Sequence, residues 1–172
     1  FCLSRGLGDV YKRQELELVP RSYDIVGDIA IIRVPETIKH RSQLVAETIM
    51  QIDKHVKTVL GQVSPVSGDF RLRDLEYVSG EKKTETIHRE FGCIFKVDLK
   101  ECYFSPRLSH ERMRVAEQVK PGEVVVNMFA GVGCFSIIIA KHAKPRKVYS
   151  VDINPPAICY HRENAKLNKV ED

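Results

Sequence analysis

Two features are missing from the chain, and each absence excludes a class of protein. No apolar run approaches the roughly 18 residues that a membrane-spanning helix needs, so we expect no segment to cross a membrane. The five cysteines include no Cys-x-x-Cys pair, the spacing that typically holds zinc or carries out redox chemistry, so we predict no metal site. An odd number of cysteines without such pairs is best suited to a reducing compartment, and we expect a cytoplasmic protein.

The chain also lacks a strong excess of charge of one sign. Its 172 residues are 43% hydrophobic and 29% charged, which is typical of a soluble globular protein with one domain or two small ones. Residues 1–14 resemble read-through translation of a transposon end, and we treat them as a non-native leader. Without them the net charge falls from +4 to +2, so any basic surface for nucleic acid must be local.

Residues 15–102 are predicted to form a small α+β domain. Two short strands are expected within Tyr23–Val34, turning at Gly27 and Asp28, because β-branched residues flank that turn signal. A helix should follow over 38–52, where apolar residues recur at helical spacing after Pro35. The further predicted strands are 56–63, 75–78, 84–88 and 93–98.

Residues 103–172 alternate between helix and strand in the way that is typical of an α/β sheet. Ser105 and Pro106 are predicted to begin a helix that ends near 119, with Ser105 as its N-cap. Strands are expected at 123–128 and 147–151, and helices at 135–142 and 155–167, the last capped by Asn154. Right-handed connections would place both strands in one parallel sheet. Two strands cannot bury both faces, so we interpret this part as the first half of a Rossmann-like domain.

The loop between the first of these strands and its helix has the pattern of a cofactor site. Val124–Asn127 is a buried-strand pattern that leads into Phe129–Gly133, where glycines let the backbone approach a ligand. Asp152 ends the second strand, where a carboxylate can accept both hydroxyls of a ribose. A dinucleotide site prefers a third glycine, and here Cys134 follows instead.

Five motifs in order resemble the archaeal and eukaryotic tRNA (guanine-37-N1)-methyltransferase family. They are Phe70–Glu76, Thr86–His88, Tyr103–Leu108, His110–Arg112 and Asn127–Gly133. The resemblance covers nearly the whole chain after the leader. It implies a class I fold, S-adenosyl-L-methionine as cofactor, the anticodon stem-loop of tRNA as partner, and a monomer.

The resemblance also implies roles for individual residues. Glu111 matches the proposed general base that removes the proton of guanine N1, and Arg71 matches the position that stabilises charge on O6. The matching cofactor residues are Tyr103, Asn127, Phe129, Ala130, Gly131, Gly133, Asp152 and Ile153. Those matching RNA contacts are Arg73, Arg107 and His110. Asn127 departs from the pattern, because class I methyltransferases usually carry an acid there.

The residues alone leave other interpretations open. Glu111 could form a surface ion pair with Arg107 or Arg114, and Arg71 and Arg73 could lie on any half-exposed strand. One alternative activity is that of a related wybutosine-pathway enzyme, which transfers the aminocarboxypropyl group of the same cofactor. A non-catalytic RNA-binding module would instead use a phosphate-contact patch. That patch would comprise Arg71, Arg73, Lys82, Lys83, His88 and Arg89.

The resemblance further implies that the catalytic loop and the adenine pocket come from sequence that this chain does not include. We therefore expect the 172-residue chain to be inactive by itself, and its last seventy residues to be poorly folded.

Overall fold

The computed structural model describes residues 17–64, 68 and 70–171, so the leader predicted at 1–14 lies outside the described residues. The chain divides into two compact units. Of the described residues, the first contains 17–64 together with 73–84, and the second contains 68 and 70–72 together with 85–171. Within the described part, no helix is long and apolar enough to cross a membrane.

The first unit is built on a four-stranded sheet of order β1-β2-β3-β4. Its strands are β1 (Asp24–Val26), β2 (Ile29–Ile32), β3 (Thr58–Gln62) and β4 (Leu75–Gly80). The predicted hairpin is confirmed, because β1 and β2 pair antiparallel around Gly27, whose φ is 56°. β3 pairs parallel with β2 and antiparallel with β4.

A helical segment connects β2 to β3, as predicted. A 3-10 turn over Glu36–Arg41 precedes helix α1 (Ser42–Ile52). The helix buries Val45 and Ile49 against Val59 of β3, and all three side chains are fully buried. Burying a side chain of this size stabilises the fold by about 1.5–3 kcal/mol, so this cluster forms the core of the unit.

The second unit begins with a hairpin that the sequence analysis assigned to the first domain. Strands β5 (Glu85–Glu90) and β6 (Cys93–Asp98) pair antiparallel. The boundary expected at 102 thus differs from the compact units, which separate between 84 and 85. The physical reason is a set of long-range hydrogen bonds: the side chains of Asn164 and Asn168 accept from the backbone of β6 at 2.7 and 2.9 Å.

The remaining elements follow the predicted order. Helix α2 (Ser109–Gln118) follows a 3-10 turn at Pro106–Leu108, and then come β7 (Val124–Asn127), α3 (Cys134–Ala143), β8 (Lys147–Ser150) and α4 (Pro155–Asn168). β7 and β8 pair in parallel, which confirms the α/β arrangement. Ser105 and Asn154 lie at the predicted N-cap positions, but neither makes a side-chain cap hydrogen bond.

The β7–β8 sheet has two unequal faces. Side chains alternate along each strand, and those of Val125, Asn127, Val148 and Ser150 are half-buried. On the other face Val126, Tyr149 and Val151 are each more than half exposed. The sheet therefore presents one apolar face that the described residues leave open.

Candidate functional site

The loop from Met128 to Gly133 leaves the carboxyl end of β7 and is fixed by backbone hydrogen bonds. Ala130 N donates to Val151 O at 3.0 Å, and Val151 N donates to Asn127 O at 2.9 Å. Gly133 N donates to Ala130 O at 2.9 Å, which closes the loop just before α3. The loop is thus attached both to its own strand and to the neighbouring strand.

The two glycines of the loop meet different requirements. Gly133 has a φ of 95°, and an added Cβ would lie 2.7 Å from Cδ2 of His161 and 2.9 Å from Cδ1 of Ile137, so only glycine fits. Gly131 has a φ of 53°, and nothing lies within 4 Å of an added Cβ. The backbone at Gly131 therefore faces open space, where a ligand can approach it closely.

Asp152 lies directly against this loop. Its Oδ2 accepts a hydrogen bond from Gly131 N at 2.6 Å, and its Oδ1 accepts one from Asn154 N at 2.9 Å. An ionised carboxylate has about four acceptor positions, so two remain after these bonds. The arrangement holds the carboxylate rigidly at the end of β8 while leaving it able to accept two further donors.

Asn127 connects the loop to the helix behind it. Its Nδ2 donates to Ser136 Oγ at 3.0 Å, and its Oδ1 accepts from Phe129 N at 3.3 Å. Ser150 Oγ also donates to Ser136 Oγ, at 2.8 Å. The neutral amide at this position therefore connects the loop to α3, because it donates to Ser136 and accepts from Phe129.

Apolar side chains flank Asp152 at the same edge of the sheet. Phe129 is 86% exposed and Ile153 is 75% exposed, while Ala130 between the strands is buried. The segment carrying Tyr103 is tied to the start of α4, because Asn154 Nδ2 donates to Glu101 O at 2.8 Å. Exposed apolar groups beside a carboxylate suit a ligand that has a flat ring and a sugar.

Glu111, the predicted general base, is paired with Arg114 one turn later on α2. Arg114 Nη2 donates to Glu111 Oε1 at 2.6 Å, and Arg114 Nε donates to Oε2 at 2.8 Å. The hydrogen bond from Arg114 lowers the pKa of Glu111 below its ordinary value. Of the two surface partners considered from the sequence, Arg114 is the one that the structure provides.

The two predicted arginines lie in different settings. Arg71 is exposed in a turn, with a φ of 51° and its N–H donating to Gly68 O at 3.1 Å, so its assignment to a half-exposed strand is wrong. Arg73 pairs with Asp24 at 3.3 Å, and the two side chains are only 10% and 13% exposed. RNA would have to compete with Asp24 for this guanidinium, and the predicted RNA contact of Arg73 stays a prediction.

The predicted RNA contacts on α2 lie at its start. Arg107 and His110 are both exposed there. Across residues 17–64, 68 and 70–171, no hydrogen bond or ion pair joins Arg71 or Glu111 to the loop 128–133. Hydrogen bonds therefore join the loop to Asn127 and Asp152 but not to Arg71 or Glu111, and the catalytic roles of Arg71 and Glu111 stay predictions.

A buried ion pair that sequence reasoning missed supports this region. Arg112 Nη1 donates to both oxygens of Glu90, at 2.7 and 2.8 Å, and its Nη2 donates to Ser105 O at 2.7 Å. Its guanidinium carbon lies 5.0 Å from the ring centroid of Phe104. No local pattern could reveal this pair, because its members lie on different elements. Sequence reasoning also missed Asn164 and Asn168. These residues lie four apart on one helix, so their shared face could have been recognised from the sequence.

The cysteines near the site are poor nucleophiles. Burial raises the pKa of the Cys134 and Cys102 thiols to about 12, so both stay protonated at neutral pH. The four described cysteines are free thiols.

Two family models match nearly the whole chain. The TRM5/TYW2 methyltransferase domain matches residues 86–172, and the TYW2 N-terminal domain matches residues 3–84.

Two relatives have related but distinct activities. The tRNA (guanine(37)-N(1))-methyltransferase Trm5b of Pyrococcus abyssi is 49% identical over 92% of this chain and 48% of its own length. The tRNA(Phe) (4-demethylwyosine(37)-C(7)) aminocarboxypropyltransferase of Methanocaldococcus jannaschii is 38% identical over 87% of this chain and 57% of its own length. The chain thus spans about half the length of these relatives.

Solved structures with the same fold include a complex of aTrm5 with tRNALeu, at 40% identity and a TM-score of 0.88, covering 99% of this chain and 51% of that one. M. jannaschii TYW2 in complex with AdoMet matches at 33% identity and a TM-score of 0.60, covering 86% of this chain and 52% of that one. Together with the family model that matches more than half of its residues, these findings show that the chain belongs to the TRM5/TYW2 methyltransferase family.

Proposed function

We propose that this chain is part of a tRNA (guanine-37-N1)-methyltransferase, which methylates N1 of the guanosine 3′ to the anticodon with S-adenosyl-L-methionine. The observation that carries the proposal is the contact between Asp152 and the loop, in which Oδ2 accepts from Gly131 N at 2.6 Å. It fixes a carboxylate with spare acceptor capacity beside a backbone that faces open space. Two findings support tRNA as the substrate: the P. abyssi relative is a tRNA (guanine(37)-N(1))-methyltransferase, and aTrm5 has been solved in complex with tRNALeu.

The residues at this edge fit the proposed cofactor. Asp152 would accept the two ribose hydroxyls, and the exposed apolar surfaces of Phe129 and Ile153 would lie against the cofactor beside it. Asn127 would meet the ammonium of the methionine end through the remaining acceptor position of Oδ1. When bound, S-adenosyl-L-methionine supplies a methyl group that positive sulfur has already activated. The AdoMet complex of M. jannaschii TYW2 supports this assignment.

Glu111 and Arg71 would prepare the guanine. Neutral guanine carries a proton on N1, and Glu111 would remove it so that the nitrogen lone pair becomes free. Arg71 would stabilise the negative charge that then develops on O6. Arg114 bonds to both Glu111 oxygens and lowers the pKa of that carboxyl, which keeps Glu111 ionised but makes it a weaker base. Loss of this surface pair on RNA binding would restore its basicity.

The substitution Glu111→Gln in the full-length protein tests the proposed function. Glutamine keeps the size of the side chain but cannot take the proton, so the rate of methyl transfer should fall about 10²- to 10⁴-fold. Affinity for tRNA, measured by filter binding, should stay within about twofold, because one exposed rim charge contributes little. Glu117→Gln is a matched control, since Glu117 is an exposed carboxylate on the same helix. Equal loss of activity in the two variants would contradict a base role for Glu111.

Aminocarboxypropyl transfer is a second candidate, and the match of residues 3–84 to the TYW2 N-terminal domain favours it. The M. jannaschii aminocarboxypropyltransferase is also a relative at 38% identity. That reaction does not need a base at Glu111. Mass spectrometry of nucleosides from the reacted tRNA distinguishes the two reactions, because the added groups differ in mass. A methylated guanosine supports the main proposal, and an aminocarboxypropyl product contradicts it.

A non-catalytic RNA-binding module is the least favoured interpretation. Lys83 of the expected phosphate-contact patch pairs with Asp28 at 2.7 Å and with Glu81 at 2.8 Å, and Arg73 pairs with Asp24. These cations are already neutralised within the first unit. If Glu111→Gln reduced tRNA binding as much as it reduced turnover, the module interpretation would gain support.

A further inference from the structure

Two asparagines on α4 are buried, although their amide groups are strongly polar. Asn164 is fully buried and Asn168 is 5% exposed. An amide buried without hydrogen bonds costs roughly 1–3 kcal/mol, so these side chains are stable only if their partners are well placed.

Both asparagines bind the free edge of β6. Lys96 N donates to Asn164 Oδ1 at 2.7 Å, and Asn164 Nδ2 donates to Lys96 O at 3.0 Å. Ile94 N donates to Asn168 Oδ1 at 2.9 Å, and Asn168 Nδ2 donates to Ile94 O at 2.6 Å. Four helical residues rise about 6 Å and two strand residues span about 6.6 Å, so the two amides match the strand and act as its next hydrogen-bonding partner.

The two residues differ in the acceptor of their second amide hydrogen. Asn164 Nδ2 also donates to Val132 O in the glycine loop, at 2.9 Å, whereas Asn168 Nδ2 donates to Asn164 O at 2.7 Å. Val132 O and Gly133 N belong to one planar peptide group, so fixing the carbonyl also fixes the direction of the N–H. That N–H donates to Ala130 O at 2.9 Å. Asn164 therefore holds one end of the peptide group that closes the loop.

We propose that Asn164 is a positioning residue for the cofactor loop, and that it fixes the loop to β6 and α4 in the conformation that binds S-adenosyl-L-methionine. The inference rests on the proposed function, because it requires the loop 128–133 to bind that cofactor. Asn168 shares the helix, the burial and the bonds to β6, but it does not contact the loop. It is therefore a control for the loss of burial and of the bonds to β6, and the two residues differ in the partner of the second amide hydrogen, which is Val132 O for Asn164 and Asn164 O for Asn168.

The test compares Asn164→Ala with Asn168→Ala in the full-length protein. Isothermal titration with S-adenosyl-L-methionine should give a Kd about two- to tenfold higher for N164A than for N168A, the effect expected of one neutral hydrogen bond. Hydrogen exchange without ligand should show the Gly133 amide exchanging faster in N164A than in N168A. Equal affinities and equal exchange in the two variants would overturn the proposal.

Two further measurements keep the outcome clear. If N164A does not fold, Asn164→Ser and Asn168→Ser repeat the comparison, because serine leaves a smaller cavity and can bond to the carbonyl four residues earlier. If the wild-type protein does not bind S-adenosyl-L-methionine, the proposed function fails. In that case the exchange of the Gly133 amide still reports whether Asn164 holds the loop.

Discussion

At the scale of single residues, the Glu90–Arg112 pair shows how a buried charge is kept stable. Arg112 is 3% exposed, and its guanidinium bonds to both Glu90 oxygens and to the backbone of Ser105. Burial by itself raises the pKa of Glu90, but the hydrogen bond from His88 and the charge of Arg112 outweigh it and hold that pKa below its ordinary value. The pair connects β5, α2 and the segment next to Tyr103.

Acid should therefore weaken the fold through Glu90. A carboxyl whose pKa is lowered on folding adds stability above its unfolded pKa, near 4.5, and that stability is lost as pH falls through the folded pKa. Glu90→Gln should cost about 3–5 kcal/mol at pH 7, because it leaves Arg112 buried without its counter-charge. Between pH 7 and about 3, E90Q should lose less stability than the wild type, as measured by urea unfolding at each pH.

The control for this prediction lies on the same strand. Glu85 is about half exposed and pairs with Lys96 at 3.4 Å. Glu85→Gln should change the free energy of unfolding by less than about 1 kcal/mol, because exposed ion pairs contribute little. If E85Q and E90Q were equally destabilised, the buried pair would not have the role assigned to it.

At the scale of elements, the start of α2 depends on a contact from within the helix more than on side-chain capping. Ser105 precedes the 3-10 turn at Pro106–Leu108, but its side chain makes no cap hydrogen bond. Its backbone carbonyl instead accepts from Arg112 Nη2 at 2.7 Å. The helix start is thus held by a guanidinium from the helix itself, seven residues or about two turns further along the chain.

Ser105→Ala tests which of these contacts matters. Alanine keeps the carbonyl that Arg112 binds, so the free energy of unfolding should change by less than about 0.5 kcal/mol, below the ~1 kcal/mol typical of a lost N-cap. Urea unfolding followed by circular dichroism measures the difference. A loss of about 1 kcal/mol or more would indicate that the hydroxyl caps the helix after all.

At the scale of the whole molecule, the two units differ in how fully their sheets are covered. Every residue of β2 is buried, and so are the first three residues of β3. On β7 and β8, exposed positions alternate with half-buried ones. Local stability is lower where few apolar contacts cover the backbone, and this applies to β7 and β8. The expectation that the last seventy residues fold poorly stays a prediction.

Hydrogen exchange on the 172-residue chain measures this difference. The amides of Val125 and Val148 should exchange at least about tenfold faster than those of Ala30 and Val59, which corresponds to ~1.4 kcal/mol less local stability. The two pairs belong to the same molecule, so each serves as the internal reference for the other. Equal protection of both pairs would contradict the prediction.

Local sequence patterns were sufficient for most elements. Apolar alternation and glycine turns located β6 at Cys93–Asp98, and Pro155 marked the start of α4. The glycine loop and Asp152 were recognised because their spacing along the chain reflects one βαβ unit. Patterns could not locate the boundary between the units, since it depends on bonds from Asn164 and Asn168 to a strand about seventy residues earlier.

The sequence by itself therefore determined the order of strands and helices, the loop that faces the proposed cofactor, and the family. Hydrophobic period, turn chemistry and motif order act over short distances, and all three can be read along the chain. Only the tertiary structure decided that Arg73 pairs with Asp24 and that Asn164 donates to the loop. The physical reason is that a polar side chain acquires its role from the partner that folding places within about 3 Å of it.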